Sequence, residues 1–221
     1  MISATLRIAA AGVTAALLFT AGVHAQSAAD MTFFLTSVPK GDGANLGGLD
    51  GADAHCAALA KAAGSNASNW KAYLSTTAGG GDAGVNARDR IGKGPWKNAK
   101  GAVVAASVDD LHSDKNSLTK ASAVSEKGEG IMGRGDATNM HDILTGSDPN
   151  GMYSTAGGDT TCGNWTKNGD GSAIVGHHDR MGLKDTRHMK SWNSSHGSAG
   201  CSKEALVKTG GNGLFYCFVA N

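Results

Sequence analysis

Apolar and polar positions alternate most clearly at the carboxyl end, where Gly213 to Ala220 reads as a strand. Leu214, Tyr216 and Phe218 face one side of it and Phe215, Cys217 and Val219 the other, so both faces are predicted to be covered. Thr32 to Val38, centred on Phe33-Phe34-Leu35, suits a buried strand, and Trp70 to Ser75 alternates large apolar residues as another. Between them Ala52, Cys56, Leu59, Ala60 and Ala63 recur at helical spacing. That predicts a helix over Gly51 to Ala63, with Asp50 as N-cap, Asp53 three residues on, and Gly64 as the stop.

The rest of the chain is patterned more weakly. Gly41 to Leu49 and Gly79 to Gly84 read as connections, Asn86 to Ile91 as a helical turn, and Gly101 to Ala105 as a short strand before a turn around Ser107 to Leu111. Ser113 to Asn139 is polar, with short strands at best. The stretch between Cys162 and Cys201 has a long-loop composition, with Ala173-Ile174-Val175 as one short strand. Neither a repeat nor a linker interrupts residues 26–221, which are expected to form one domain.

Residues 1–25 stand apart. A basic Arg7, the apolar run Ile8 to Gly22 and the small residues of Val23-His24-Ala25 are those of a secretory leader, which implies a secreted or periplasmic protein. No later segment is apolar for long enough to span a membrane, and no Cys follows the apolar run until Cys56, which argues against a lipid anchor. Without Arg7 the basic and acidic residues balance, so no overall charge draws the chain to nucleic acid. The 33 glycines show no Gly-X-Y period, which excludes a collagen triple helix, and 40% hydrophobic residues argue against wholesale disorder. An oxidising compartment implies two disulfides among Cys56, Cys162, Cys201 and Cys217, and the residues alone leave three connectivities open.

The order of these elements resembles the C-type-lectin-like fold, and within it the endostatin-like modules that end type XV and XVIII collagens and their secreted bacterial counterparts. The residues carrying the likeness are Gly47 to Cys56, Trp70 to Ser75, Ala87-Arg88-Asp89-Arg90, Leu144 to Gly151, Cys162 to Thr166, Ser198 to Cys201 and Phe215-Tyr216-Cys217. The resemblance implies an α+β domain with a mixed, mainly antiparallel sheet, one or two helices and long loops. It also implies nested disulfides, Cys56 with Cys217 and Cys162 with Cys201. Nothing matches the separate segment through which the parent collagens trimerise, so a monomer is expected.

Candidate chemistry lies in the loops. Asp148-Pro149-Asn150 and Trp192-Asn193-Ser194 resemble the oxygen-rich loops with which sugar-binding C-type lectins hold calcium, but Ser194 stands where a second carboxylate is expected. The plainer reading of Asp148 to Gly151 is a turn, and no cofactor is expected beyond this weak calcium motif. The stretch His177 to Lys190 offers Arg180, Lys184, Arg187 and Lys190 to the sulfates or carboxylates of an acidic polysaccharide, its three histidines adding charge in acid. A solvated charged loop is the competing reading. Trp192 and Trp165 could stack on sugar rings, although core packing is the commoner use of such residues. His177, His178, His188 and His196 match no compact zinc motif, so no metal site is expected.

Catalytic patterns are missing. Gly128 to Gly133 satisfies Gly-x-Gly-x-x-Gly without the strand and helix that a nucleotide needs, and neither Gly-x-Ser-x-Gly nor His-Glu-x-x-His occurs. The reading is a non-enzymatic module for carbohydrate or acidic polysaccharide, with Arg180, Lys184, Arg187, Lys190, Trp192, Asn193, Asp148 and Asn150 as candidate ligand residues. The alternative is an adhesion module that binds protein and no sugar.

Overall fold

The computed structural model describes Met1 and residues 27–79 and 83–221. The leader expected over residues 1–25 therefore lies outside the described residues except for Met1, as does the middle of the Gly79 to Gly84 loop. The strands are β1 (Phe33–Leu35), β2 (Trp70–Ala72), β3 (Trp96–Lys97), β4 (Val103–Ala105), β5 (Asp142–Leu144), β6 (Ile174–His177), β7 (His196–Gly197) and β8 (Gly211–Val219). The helices are α1 (Gly48–Ala62), α2 (Ala87–Arg90), α3 (Val108–Leu111) and α4 (Lys203–Thr209).

The fold is α+β, and β8 organises it. Phe218 pairs with Phe33 of β1 and also with Lys71 of β2, so β8 is hydrogen-bonded along both edges. Its amino-terminal half runs parallel to β5, and β6 and β7 extend the sheet by antiparallel pairing. A separate ribbon joins β3 and β4. The alternation along β8 splits its side chains between two cores. Phe215 and Cys217 join Phe34, Leu144, Val175 and the α1 residues Ala52, Cys56 and Ala60 on one face. Leu214, Tyr216 and Phe218 join Phe33, Ile143, Trp96 and Trp192 on the other. A slip of one residue would exchange these faces, so the pattern fixes the register.

Helix α1 begins earlier than the sequence suggests. Its N-cap is Gly47, in a left-handed conformation with φ 70°, and Asp50 falls within the first turn. Asp53 is also no capping residue: its carboxylate accepts hydrogen bonds from Arg90, Lys71 and the Ala72 N–H. The carboxyl end is as expected, with Gly64 in the left-handed region at φ 81°. Both disulfides have the nested pairing, Cys56 with Cys217 and Cys162 with Cys201. The first ties α1 to the centre of the sheet, and the second closes the long loop region.

Two features set up the loops. Gly176 of β6 lies against the Trp192 backbone so closely that a Cβ there would come within 1.9 Å of the Trp192 carbonyl oxygen. A side chain at Gly176 would thus push Trp192 and its loop off the sheet. Cys162, Gly163, Asn164 and Trp165 all have positive φ, making one left-handed helical turn. That turn costs about 1–2 kcal/mol for each residue other than glycine. It is held by the Cys162 disulfide, by the Trp165 indole N–H on Ser75 O, and by Asn164 on Thr77 and Thr161.

Candidate functional site

Five of the eight residues singled out from the sequence, Arg180, Arg187, Lys190, Trp192 and Asn193 among them, line one cavity of about 430 Å³. They play different parts there. Trp192 is only 3% exposed and packs against Tyr73, His112 and Tyr216, so it supports the cavity from below. Asn193 is buried, and its amide donates to the Tyr73 hydroxyl and to the carbonyls of Asp148 and Pro149. Arg180 donates to the carbonyls of Leu118 and Lys190 and to the Asn116 side chain, which ties the 116–118 segment to the basic loop. Lys190 is exposed and paired with Asp185. The Arg187 and Lys184 side chains are exposed and have no protein partner among the described residues. Lys184 lies off the cavity lining, as do Asp148 and Asn150, which flank the lining residue Pro149.

The calcium-like tripeptides are brought together, and two of their side-chain oxygens are engaged within the loops. One Asp148 carboxylate oxygen accepts the N–H groups of Asn150 and Met152, which makes the expected turn, and the Asn193 side-chain oxygen accepts the Ser191 hydroxyl. Asn193 joins the two loops directly.

A second constellation lies on β5, β6 and β7, and sequence reasoning missed half of it. Asp142 stands opposite His177 in the β5 and β6 register, and His196 stands opposite Val175, two residues along β6 from His177. These positions share a sheet face, because side chains two apart on a strand point the same way and cross-strand partners sit side by side. His141 stacks on His177 with ring centroids 4.1 Å apart. Among the described residues, His141, Asp142 and His177 are a buried group whose ligand atoms lie within 4.8 Å of one another. The Nε2 atoms of His141 and His177 are each 3.2 Å from Asp142 Oδ1, and that of His196 is 3.5 Å away.

The opposite edge of each ring also faces an oxygen. His177 Nδ1 is 2.7 Å from Met189 O, His196 Nδ1 is 3.1 Å from Gly197 O, and His141 Nδ1 is 3.2 Å from Asp179 Oδ1. A carbonyl or carboxylate oxygen only accepts, so each Nδ1 is set to donate on that side, while on the other side the Nε2 atoms face the Asp142 carboxylate and those of His177 and His196 lie 3.1 Å apart. Neither Asp142 oxygen has a hydrogen-bond partner, although the residue is 2% exposed. Around this group, burial pushes the Asp179 carboxyl up, but hydrogen bonds from His141 and the N–H groups of Arg134 and Met181 hold it well below the carboxylate range. The Asp142 carboxylate raises the pKa of His196, the most exposed of the three rings.

His141, His177 and His196 also line a cavity of about 600 Å³, whose walls include Arg134, Asn139 and Lys208. The other two histidines considered from the sequence stay outside the cluster. His178 is buried with its Nε2 on Met132 O, and His188 is exposed on the rim of the Trp192 cavity. The missed members, His141 and Asp142, gave one local signal, a His-Asp pair just ahead of the apolar Ile143-Leu144. No protein-family model matches the chain, and no match is found among curated proteins.

Proposed function

We propose that the protein is a secreted, non-enzymatic binding module of C-type-lectin-like, endostatin-like fold that recognises an acidic carbohydrate or polysaccharide at the Trp192 cavity. The observation that carries this reading is the convergence of Arg180, Arg187 and Lys190 on one cavity whose lining includes a single acidic residue, Asp114. Arg180 supplies fixed charge, and the unpaired Arg187 guanidinium is free to fork onto a sulfate or carboxylate. Trp192 and Asn193 hold the shape. The α+β architecture with helix-to-strand and loop-closing disulfides supports the fold assignment.

Retention on heparin-agarose tests the reading. The protein is expected to bind at low ionic strength, to elute as salt screens the contacts, and to lose retention in the double variant Arg187→Glu, Lys184→Glu. Absence of retention at low salt, or retention unchanged in the double variant, refutes it; a protein partner captured in the presence of excess heparin would favour the adhesion alternative.

A further inference from the structure

We propose that Asp142, His177 and His196, with His141 packed beside them, form a centre for one divalent transition-metal ion of the zinc type, separate from the Trp192 cavity. Distances support it first. An ion bonded at 2.0–2.1 Å to four tetrahedral donors sets those donors about 3.3–3.4 Å apart. Asp142 Oδ1 lies 3.2, 3.2 and 3.5 Å from the Nε2 atoms of His141, His177 and His196, and His177 Nε2 lies 3.1 Å from His196 Nε2. All three separations among Asp142, His177 and His196 thus fall within a few tenths of an ångström of a tetrahedral edge, whereas His141, stacked on His177, meets only Asp142 at such a distance.

Electrostatics points the same way. With Nδ1 of His177 and of His196 set against backbone carbonyls, both Nε2 atoms are turned to the buried Asp142 carboxylate, neither oxygen of which has a hydrogen bond of good geometry. A buried carboxylate without well-formed hydrogen bonds costs several kcal/mol. A cation bound between Asp142, His177 and His196 relieves that cost. The Nδ1 contacts are also the outer shell that metal-binding histidines use to fix ring orientation. Two imidazoles and one carboxylate suit zinc and its neighbours in the transition series, whereas calcium and magnesium require oxygen-rich shells. The cavity lined by the three rings gives an ion a route to the site.

The ion would pin β5, β6 and β7 together and close the chain between His177 and His196, much as the second disulfide closes its own loop. This placement is independent of the carbohydrate reading.

Cobalt(II) titration of chelator-treated protein carrying no added histidine tag tests the centre. Tetrahedral-cobalt absorption should saturate at one equivalent, vanish on adding zinc(II), and accompany a rise in Tm that a chelator reverses. His196→Ala, on a two-residue edge strand, should fold and lose affinity by about 100-fold or more, since losing even an outer-shell partner costs 10–100-fold. Asp142→Asn should weaken binding similarly, and His188→Ala should leave it unchanged. Equal binding by wild type and His196→Ala, or a wild-type Tm and spectrum indifferent to cobalt and zinc, would overturn the proposal and assign the cluster to shared protons alone.

Discussion

The hydroxyl of Tyr73 lies 2.7 Å from Nε2 of His112, and on its far side the same ring places Nδ1 2.7 Å from Val108 O. Because the carbonyl only accepts, Nδ1 carries the hydrogen, and Nε2 accepts from the Tyr73 hydroxyl. That hydroxyl in turn accepts from the Asn193 amide. A chain of oriented hydrogen bonds therefore runs under the Trp192 cavity and requires a neutral His112.

Its consequence is a pH dependence. Burial lowers the pKa of His112 and Arg88 lowers it further, against opposing contributions from Val108 O, Asp148 and Asp109. The unfolded chain then binds the proton more readily than the folded one. Stability is complete above the unfolded value of about 6.5 and falls as pH drops through it toward the lower folded value, by up to about 1.4 kcal/mol per pH unit. Urea unfolding at about pH 7.5 and about pH 5.5 should show a smaller loss in His112→Asn than in wild type. Equal losses would mean that His112 is not held neutral.

Asp53 and Arg90 lock α1 to α2. One Arg90 nitrogen lies 2.9 Å from both Asp53 carboxylate oxygens, and these side chains are 11% and 12% exposed. Lys71 and the Ala72 N–H complete the carboxylate's partners. Removing one member of so buried a pair strands the other, at about 3–5 kcal/mol. Arg90→Ala and Asp53→Ala should each lower the unfolding free energy by that amount. The double variant should cost less than the sum of the two, which a double-mutant cycle reads directly.

The sequence made parts of the fold legible for physical reasons. Both faces of β8 are buried by apolar layers, so its alternation revealed two cores at once. The start of α1 was hidden because Gly47 enters the left-handed region without a capping side chain, and nothing in a glycine-rich connection marks which glycine does so. Helix α4 escaped notice for its shortness, although Ser202 caps the Ala205 N–H and Gly210 ends it at φ 107°. Among the candidate residues, the basic loop was found because its charge is local. The His141, Asp142, His177 and His196 group was not, because the strand order β5, β6, β7 assembles it from three distant segments. Trp192 and Asn193 were recognised, but only packing against Tyr73 shows that they support the cavity and do not face solvent.

The two disulfides should contribute unequally. Cys56 and Cys217 are 161 residues apart and Cys162 and Cys201 are 39 apart. On the chain-entropy model these loops contribute about 5 and about 4 kcal/mol. Cys56→Ala, Cys217→Ala also removes sulfur packing between α1 and β8, so it should lower the chemical-denaturation midpoint more than Cys162→Ala, Cys201→Ala. The opposite ranking would show that the left-handed turn depends on its disulfide more than the sheet depends on the first.

That turn supports a last prediction. The Asn164 side-chain oxygen lies 2.9 Å from Thr77 N and 2.9 Å from Thr161 Oγ1, while its amide nitrogen donates to Thr77 O. One side chain thus satisfies both backbone polar groups of Thr77 and holds a residue at φ 55°, where asparagine is tolerated better than most. Asn164→Ala keeps the strain and leaves the Thr77 groups unsatisfied, for a loss of roughly 2–3 kcal/mol. Asn164→Asp keeps the acceptor and loses only the amide donor, so its cost should be smaller. Gly163→Ala, at φ 61°, should cost about 1–2 kcal/mol from conformation alone. Urea unfolding of the oxidised variants ranks them, and an Asn164→Ala variant no less stable than Asn164→Asp would show that the turn is held by the disulfide and Trp165 without help from the Asn164 side chain.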